Sequence, residues 1–104
     1  MAARGEETMF ARVTKYRMKP ESIDAAKSKL NELKPQIMAM PGMKNFINVM
    51  NSDGSGYVVA VVDSEETSKA NQATVEALWA NFSDYLAEPP VAEGFDVLMN
   101  ETKG

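Results

Sequence analysis

Histidine and cysteine are both absent from this chain of 104 residues. Without cysteine there is no disulfide and no thiolate nucleophile, and without either residue the usual zinc and iron sites are excluded. The commonest general base of enzymes, histidine, is missing as well. We therefore expect no metal site, and any proton transfer must rely on other side chains or on the substrate.

Positive charge and long apolar segments are also scarce. The chain carries 11 basic and 15 acidic residues, a formal net charge of −4, so it offers no basic stripe for nucleic acid or for an anionic membrane. The longest apolar run spans residues 58–62, whereas a membrane helix needs about 20 residues. The first ten residues contain no apolar segment of the kind found in signal peptides. These features predict a cytoplasmic protein with no nucleic-acid or membrane partner.

Strand and helix patterns alternate in the order β-α-β-β-α-β. Segments rich in β-branched and aromatic residues indicate strands, and apolar residues at steps of three and four indicate helices. Pro35 is predicted to kink or break the first helix, and Asp63 or Ser64 to cap the second. The predicted strands are residues 9–18, 43–50, 57–62 and 91–99, and the predicted helices run from about residue 22 to 40 and from 63 to about Leu86.

This order predicts an α+β fold with ferredoxin-like βαββαβ topology. Two right-handed βαβ units of this kind form a four-stranded antiparallel sheet with both helices on one face. The length predicts a single domain. We expect that domain to span residues 9–99, with a polar N-terminal tail at 1–8 and a C-terminal tail at 100–104.

The second and third predicted strands are apolar on both faces. In the third strand Tyr57, Val59 and Val61 alternate with Val58, Ala60 and Val62, and in the second Met43, Ile47 and Val49 oppose Phe46 and Met50. Leaving one valine in water forfeits about 1.5 kcal/mol or more. Because two helices cover only one face, we expect a second copy to cover the other, which predicts a homodimer through the sheet face. A monomer with one exposed apolar face is the alternative.

Three segments resemble a known family. They are ARVTKYRMKP before the first helix, MPGMKNF at the second strand and VVDSEET between the third strand and the second helix. Over residues 9–99 the chain resembles the dimeric α+β barrel superfamily and, within it, the antibiotic-biosynthesis-monooxygenase-like domains. The resemblance implies a sheet-to-sheet dimer and, for some members, a cofactor-independent oxygenase of quinol or polyketide-like aromatic compounds. In such oxygenases the substrate enolate or phenolate itself activates dioxygen, and the protein orients it and excludes water.

The family's functional positions are only partly matched. Haem-degrading members carry an asparagine in the first strand and a tryptophan and a histidine in the second helix, where this chain has Thr14, Asn71 and Asn81. Without an axial histidine the resemblance argues against haem degradation. Other members carry an aromatic residue before the second helix and a histidine early in it, where this chain has Val62 and Asn71. An asparagine can still donate to an oxyanion, so Asn71 is a catalytic candidate.

Arg12, Thr14 and Tyr16 share one face of the first strand. If that face looks toward the second helix, Arg12 can hold an anionic oxygen and Tyr16 can donate or accept a proton. If it looks toward a partner copy, these are interface groups, and this interpretation is slightly favoured because Arg and Tyr are common at interfaces. Asp96 and Asn48 are the predicted partners of Arg12 in both arrangements.

Trp79 and Phe82 lie on the apolar stripe of the second helix. Trp79 is either a core residue, as its apolar neighbours favour, or a stacking wall for an aromatic ligand. Three polar residues begin the same stripe: Ser68, Asn71 and Gln72. This polar end of the helix either extends past the sheet into solvent or lines a pocket, and the first interpretation is favoured. The residues predicted to bind a small molecule are Trp79, Thr14, Gln72 and Phe82.

Two functions remain open at this level. The first is an enzyme acting without a cofactor on a small apolar, aromatic or enolisable molecule between the second helix and the sheet. The second is a non-catalytic module that binds a small molecule or another protein through the same pocket or the dimer surface. An enclosed pocket with Arg12, Tyr16 or Asn71 beside Trp79 favours chemistry or ligand binding. A filled core with these residues at a dimer contact favours a structural role.

Overall fold

The computed structural model of the chain describes residues 8–103. In chain order the elements are β1 (Phe10–Arg17), a 3-10 turn (Pro20–Ser22), α1 (Ile23–Met38), β2 (Met43–Met50), β3 (Ser55–Val62), α2 (Glu65–Ala70), α3 (Gln72–Ala80) and β4 (Val91–Asp96). The strands form one antiparallel sheet in the order β2-β3-β1-β4. The predicted ferredoxin-like α+β topology is confirmed. Residues 1–7 of the predicted N-terminal tail, and Gly104, lie outside the described residues.

The hydrophobic core lies between the sheet and the helices. Ala26, Leu33 and Ile37 occur at helical spacing, so one face of α1 is buried. That face packs in the same cluster as Val58 of β3 and Phe82, which follows α3. We call the sheet surface that contacts the helices the helix-side face and the opposite surface the outer face.

The first helix continues through Pro35 to Met38, so of the predicted kink or break the break is wrong. A proline inside a helix removes one backbone hydrogen bond to the preceding turn. The turn that follows it remains intact, because the Ala39 amide donates to the Pro35 carbonyl at 3.0 Å and Ile37 is buried in the core. Packing of Ile37 therefore outweighs the local defect.

The second predicted helix is divided and shorter than expected. Its start is confirmed, because the Ser64 hydroxyl accepts from the Thr67 amide as an N-cap. Asn71 separates α2 from α3, and α3 ends at Ala80 rather than near Leu86. The Asn81 side chain donates to the carbonyls of Ala77 and Leu78 and so competes with helix continuation. Leu86 instead pairs with Met18 as an isolated β-bridge.

The strand bounds differ from prediction mainly at the ends. β2 has the predicted bounds, whereas β3 begins at Ser55 rather than residue 57 and β4 ends at Asp96 rather than residue 99. A register shift between Met43 and Asn45 pairs Met43 with Val62. As a result Met43 packs with the helix-side core. The prediction that Met43 shares a face with Ile47 and Val49 is wrong, because a bulge reverses the alternation of side chains.

The outer face carries large apolar side chains that are about half exposed. They come from three strands and are Ile47, Val49, Tyr57, Val91 and Phe95, with exposed fractions between 46% for Ile47 and 63% for Val91. Strand pairing places Val49 opposite Tyr57 and Val91 opposite Lys15. The outer face is therefore apolar over both halves of the sheet. None of the described helices combines the length and apolarity that crossing a bilayer requires.

Candidate functional site

Two adjoining spaces lie on the helix-side face. The first is a narrow cavity of about 80 Å³ between β1, β2, β3 and all three helices, which we call the inner cavity. The second is an open groove of about 780 Å³ between α2, α3 and β4, which we call the outer groove. Five residues line both spaces and form what we call the neck: Arg12, Thr14, Ser68, Val75 and Trp79.

The register of β1 explains why a space exists at the neck. Arg12 pairs with Ala60 of β3 and with Gly94 of β4, so small residues flank it on both sides. Thr14 pairs with Ala92 on the β4 side. Ala60 and Ala92 therefore keep the sheet surface low beside β1, whereas the Phe10 ring lies over Gly94 and lines the outer groove. Alternation in the sequence VAEGFD predicts that Ala92 and Gly94 lie on one face of their strand. Whether that face meets the helices depends on the fold.

The candidate residues of β1 face the helices and not a partner copy. Arg12, Thr14 and Tyr16 all line the inner cavity, so the slightly favoured interface interpretation is wrong. Thr14 and Tyr16 are buried, with 3% and 4% of their surface exposed. The reason is the alternation of the strand, which turns Ala11, Val13 and Lys15 to the outer face and the three candidates inward.

Arg12 brings the one formal charge to the inner cavity among the described residues. The remaining residues that line this cavity are apolar or neutral, including Thr14, Asn48 and Asn71. Within residues 8–103 the structure holds two ion pairs, Lys29 with Glu32 and Lys69 with Glu65, and neither involves Arg12. Of its predicted partners, Asn48 accepts from Tyr16, and Asp96 lines the outer groove together with Arg12 but forms no ion pair with it. A half-buried guanidinium with no carboxylate partner among the described residues favours an anion at the neck.

Tyr16 is held by two acceptors. Its hydroxyl donates to Asn48 Oδ1 at 2.6 Å and lies 3.1 Å from the Val49 carbonyl oxygen. Burial raises the pKa of the Tyr16 phenol above its ordinary 10.0. The side chain is therefore neutral near pH 7, and its proton is engaged with β2. This arrangement suits a rigid wall of the cavity and argues against the predicted role as a proton acceptor.

Raising the pH above about 10 is expected to weaken the wild-type fold more than the Tyr16→Phe variant. Because the pKa of Tyr16 is raised in the folded state, its contribution to stability is fully present below the unfolded pKa and is lost as pH rises through the folded pKa. Near pH 8 the variant should be less stable by about 1 kcal/mol, through the lost hydrogen bonds. Urea unfolding of both proteins at about pH 8 and about pH 10.5 measures this difference, which should shrink at high pH. A difference that grows with pH would contradict the burial argument.

The polar residues around the α2–α3 junction border the inner cavity and the outer groove. Ser68 and Asn71 are 6% and 7% exposed and both line the inner cavity, so the prediction that they overhang the sheet is wrong. Gln72 is exposed, donates to Glu76 at 3.1 Å and lines only the outer groove. Asn71 Nδ2 donates to the Pro41 carbonyl at 2.9 Å. One of its two N–H groups thus ties the α2–α3 junction to the loop after α1, and the other has no acceptor among residues 8–103.

The aromatic candidates form a connected row. The Trp79 ring lies 5.7 Å from the Tyr16 ring and 5.9 Å from the Phe82 ring, at interplanar angles of 52° and 61°. Phe82 is buried at 8% exposure and lines only the inner cavity. Trp79 is half-buried and borders both spaces, so it belongs to the core on one side and is a wall on the other.

Acidic residues also border the site, although nothing in the sequence indicated them. Glu65, Glu76, Glu93 and Asp96 line the outer groove, against Arg12 and Lys69. Lys69 is bound to Glu65 at 3.6 Å. The exposed positions of these residues on two helices and a distant strand show no shared sequence pattern. The rim is therefore acidic, and Arg12 is its innermost positive charge.

No protein-family model and no curated protein matches this chain, but solved structures match it in fold. A candidate antibiotic biosynthesis monooxygenase from Nitrosomonas europaea aligns with a TM-score of 0.76 over 91% of this chain and 95% of its own, at 15% identity. The chain has the fold of the antibiotic biosynthesis monooxygenases. A protein of unknown function from the same organism aligns with a TM-score of 0.78 at 22% identity, over 96% of this chain and 99% of its own.

A third structure with this fold contains a ligand. It is a monooxygenase from the gene ActVA-Orf6 of Streptomyces coelicolor in complex with nanaomycin D, with a TM-score of 0.71 at 17% identity. The alignment covers 93% of this chain and 94% of that one. At such identities the likeness to the monooxygenase fold concerns the backbone, and the chemistry of this chain has to be argued from its own side chains.

Proposed function

We propose that this protein is a cofactor-independent monooxygenase that acts on a small aromatic or enolisable compound bound at the neck. The observation that supports this proposal is the position of Arg12, which is the one charge on an otherwise uncharged inner cavity and has no ion-pair partner among residues 8–103. Arg12 also borders the outer groove of about 780 Å³. That volume lies within the roughly 300–1,000 Å³ of small-molecule sites. The monooxygenase names of several structures with this fold agree with the proposal.

In the proposed reaction the substrate first loses a proton and becomes an enolate or phenolate. The anion transfers one electron to dioxygen, and the resulting radical pair joins in a new C–O bond to form a peroxide. The O–O bond then breaks while the same carbon loses its remaining hydrogen as a proton, which leaves a C=O group and water. One oxygen atom enters the product, the other leaves as water, and the substrate supplies all the electrons. No cofactor takes part in this balance.

The protein's part in this reaction is electrostatic and steric. Arg12 stabilises the negative oxygen of the substrate and thereby favours its ionised form. The free N–H of Asn71 and the hydroxyl of Thr14 are the further donors available near the neck. Trp79 offers an edge or face to the substrate ring. Tyr16 keeps its proton and supports the cavity wall.

The remaining candidates act at the periphery of the proposed site. Gln72 stands on the rim of the outer groove, where it contacts the solvent-facing part of a ligand. Phe82 closes the inner cavity behind Trp79. We propose no catalytic step for either residue.

Ligand binding without catalysis is the second candidate function. Hydrogen bonds already engage Tyr16 and one N–H of Asn71, and the chain has no histidine to act as a base. An anionic aromatic compound would then bind at Arg12 and Trp79 and leave unchanged. This function and the first use the same residues and differ in whether oxygen is consumed.

Oxygen uptake with a panel of hydroquinones separates the two functions. We expect the purified protein to consume one dioxygen per substrate and to form the hydroxylated quinone. Spontaneous oxidation instead yields hydrogen peroxide, so added catalase returns oxygen to the solution only in the uncatalysed reaction. The double variant Asn71→Ala, Trp79→Ala is the control. Uptake by the wild type no faster than by this variant, together with measurable binding, would leave the binding module as the function.

A further inference from the structure

Trp79 borders two spaces of very different size, the inner cavity of about 80 Å³ and the outer groove of about 780 Å³. Its indole is the largest of the five side chains of the neck, where the two spaces adjoin. A dry apolar cavity of about 150 Å³ is known to bind benzene. The inner cavity has about half of that volume, so it cannot take an aromatic ring while the indole stays in place.

The indole is held in this position by neighbours on two sides. Tyr16, fixed to β2 by its hydroxyl, lies 5.7 Å away, and Phe82, itself buried, lies 5.9 Å away. Tilted and edge-on pairs of this kind stabilise a fixed ring orientation. Rotation of Trp79 would have to break both contacts, which makes the indole a rigid partition.

We propose that Trp79 is a specificity-determining residue that keeps the substrate ring in the outer groove and admits only a small substituent to the inner cavity. The substrates would then be phenols or enols whose neck-facing end carries no group as large as a ring. This inference rests on the proposed function for one point, the anchoring of the substrate's anionic oxygen at Arg12. With that oxygen anchored, a second ring directed inward meets the indole.

Shortening Trp79 is expected to join the two spaces. In Trp79→Ala the inner cavity, the volume of the lost indole and the groove become continuous, so a ligand with a ring beside its hydroxyl can bury that ring. The probes are phenol and 2-phenylphenol, whose second ring lies next to the oxygen, and the measured quantity is the ratio of their dissociation constants from titration calorimetry. We expect the preference for 2-phenylphenol to rise by about tenfold or more relative to the wild type. Trp79→Phe, a smaller change that keeps a ring beside Tyr16 and Phe82, should raise it by about threefold.

Leu78→Ala is the matched control. Leu78 lines the inner cavity and not the outer groove, so its truncation enlarges the cavity behind an intact partition. The ratio should stay at the wild-type value. Any one of three results would overturn the inference. They are an equal gain in Leu78→Ala, an unchanged ratio in folded Trp79→Ala and Trp79→Phe, and no binding of either phenol to any of the proteins. The experiment measures binding and not catalysis. A gain in the binding ratio without any oxygen uptake would therefore support the role of Trp79 and, at the same time, contradict the proposed reaction.

Discussion

Replacing Arg12 by glutamine is expected to lower kcat/KM for oxygen uptake by about 100-fold, the range found when one donor to a developing oxyanion is removed. The amide of glutamine retains hydrogen-bond donors and loses the positive charge. Arg12 is the one charged residue lining the inner cavity, and among residues 8–103 it has no ion-pair partner. The variant should therefore lose stabilisation of the substrate anion with little change to packing.

The pH dependence of this variant carries a second expectation. Loss of the guanidinium raises the pKa of the bound substrate, so the activity of Arg12→Gln should recover partly as pH approaches the substrate's own pKa in water. Initial rates from about pH 6 to about pH 10 measure this recovery. Arg12→Lys keeps the charge without the planar fork and should fall between the wild type and Arg12→Gln.

Arg17→Gln is the control for the loss of charge itself. Arg17 is exposed and lies on the same strand as Arg12. Because side chains alternate along β1, Arg17 is on the outer face and not on the helix-side face. Its substitution should change kcat/KM by less than about threefold. A comparable loss in both variants would mean that the overall field of the protein, and not the neck, favours the anion.

The second large effect concerns assembly through the outer face. We propose that two copies pair through this surface, because Val49, Tyr57, Val91 and Phe95 are each about half exposed there. We expect sedimentation equilibrium at micromolar concentration to show twice the chain mass of 11.4 kDa. The variant Phe95→Glu places one carboxylate from each copy at the symmetric contact. It should raise the dissociation constant by about 100-fold or more, since burial of an aromatic side chain is worth about 1.5–3 kcal/mol in each copy.

Ala77→Glu adds the same charge elsewhere. Ala77 is exposed on α3 and lines neither the inner cavity nor the outer groove. The variant should sediment like the wild type. A wild-type protein that sediments as a single chain throughout the micromolar range would exclude the proposed dimer, and the exposed outer face would then have to be explained by another partner.

The elements could be predicted where local signals agree. β2 has its predicted bounds because Gly42 at φ +74° and the turn at residues 51–54 limit it on both sides. Ser64 caps α2 as its sequence position indicates. The end of α3 could not be predicted, because the apolar stripe continues to Phe82 and Leu86 while the Asn81 side chain and pairing with Met18 end the helix. Contacts distant in sequence decided that boundary.

The sequence named candidate site residues but did not give their arrangement. Arg12, Thr14 and Tyr16 share a face by simple alternation, and the structure brings them together with Asn71 and Trp79 at the inner cavity. The sequence did not show that Tyr16 binds Asn48, that Asn71 binds Pro41, or that Ala92 and Gly94 line the outer groove. Those relations join residues that lie 30 or more positions apart.

The sequence by itself determined the order of strands and helices, and through it the ferredoxin-like fold, because periodicity and turn residues are local properties. Its lack of histidine and cysteine also means that this chain supplies neither an imidazole nor a thiol group. Which face of β1 meets the helices was decided only by the tertiary structure, because β1 and β3 carry apolar side chains on both faces and alternation has no preference between them. The same packing placed Arg12 at the border of a cavity whose other lining residues are uncharged, and Trp79 at the border of two spaces of unequal size.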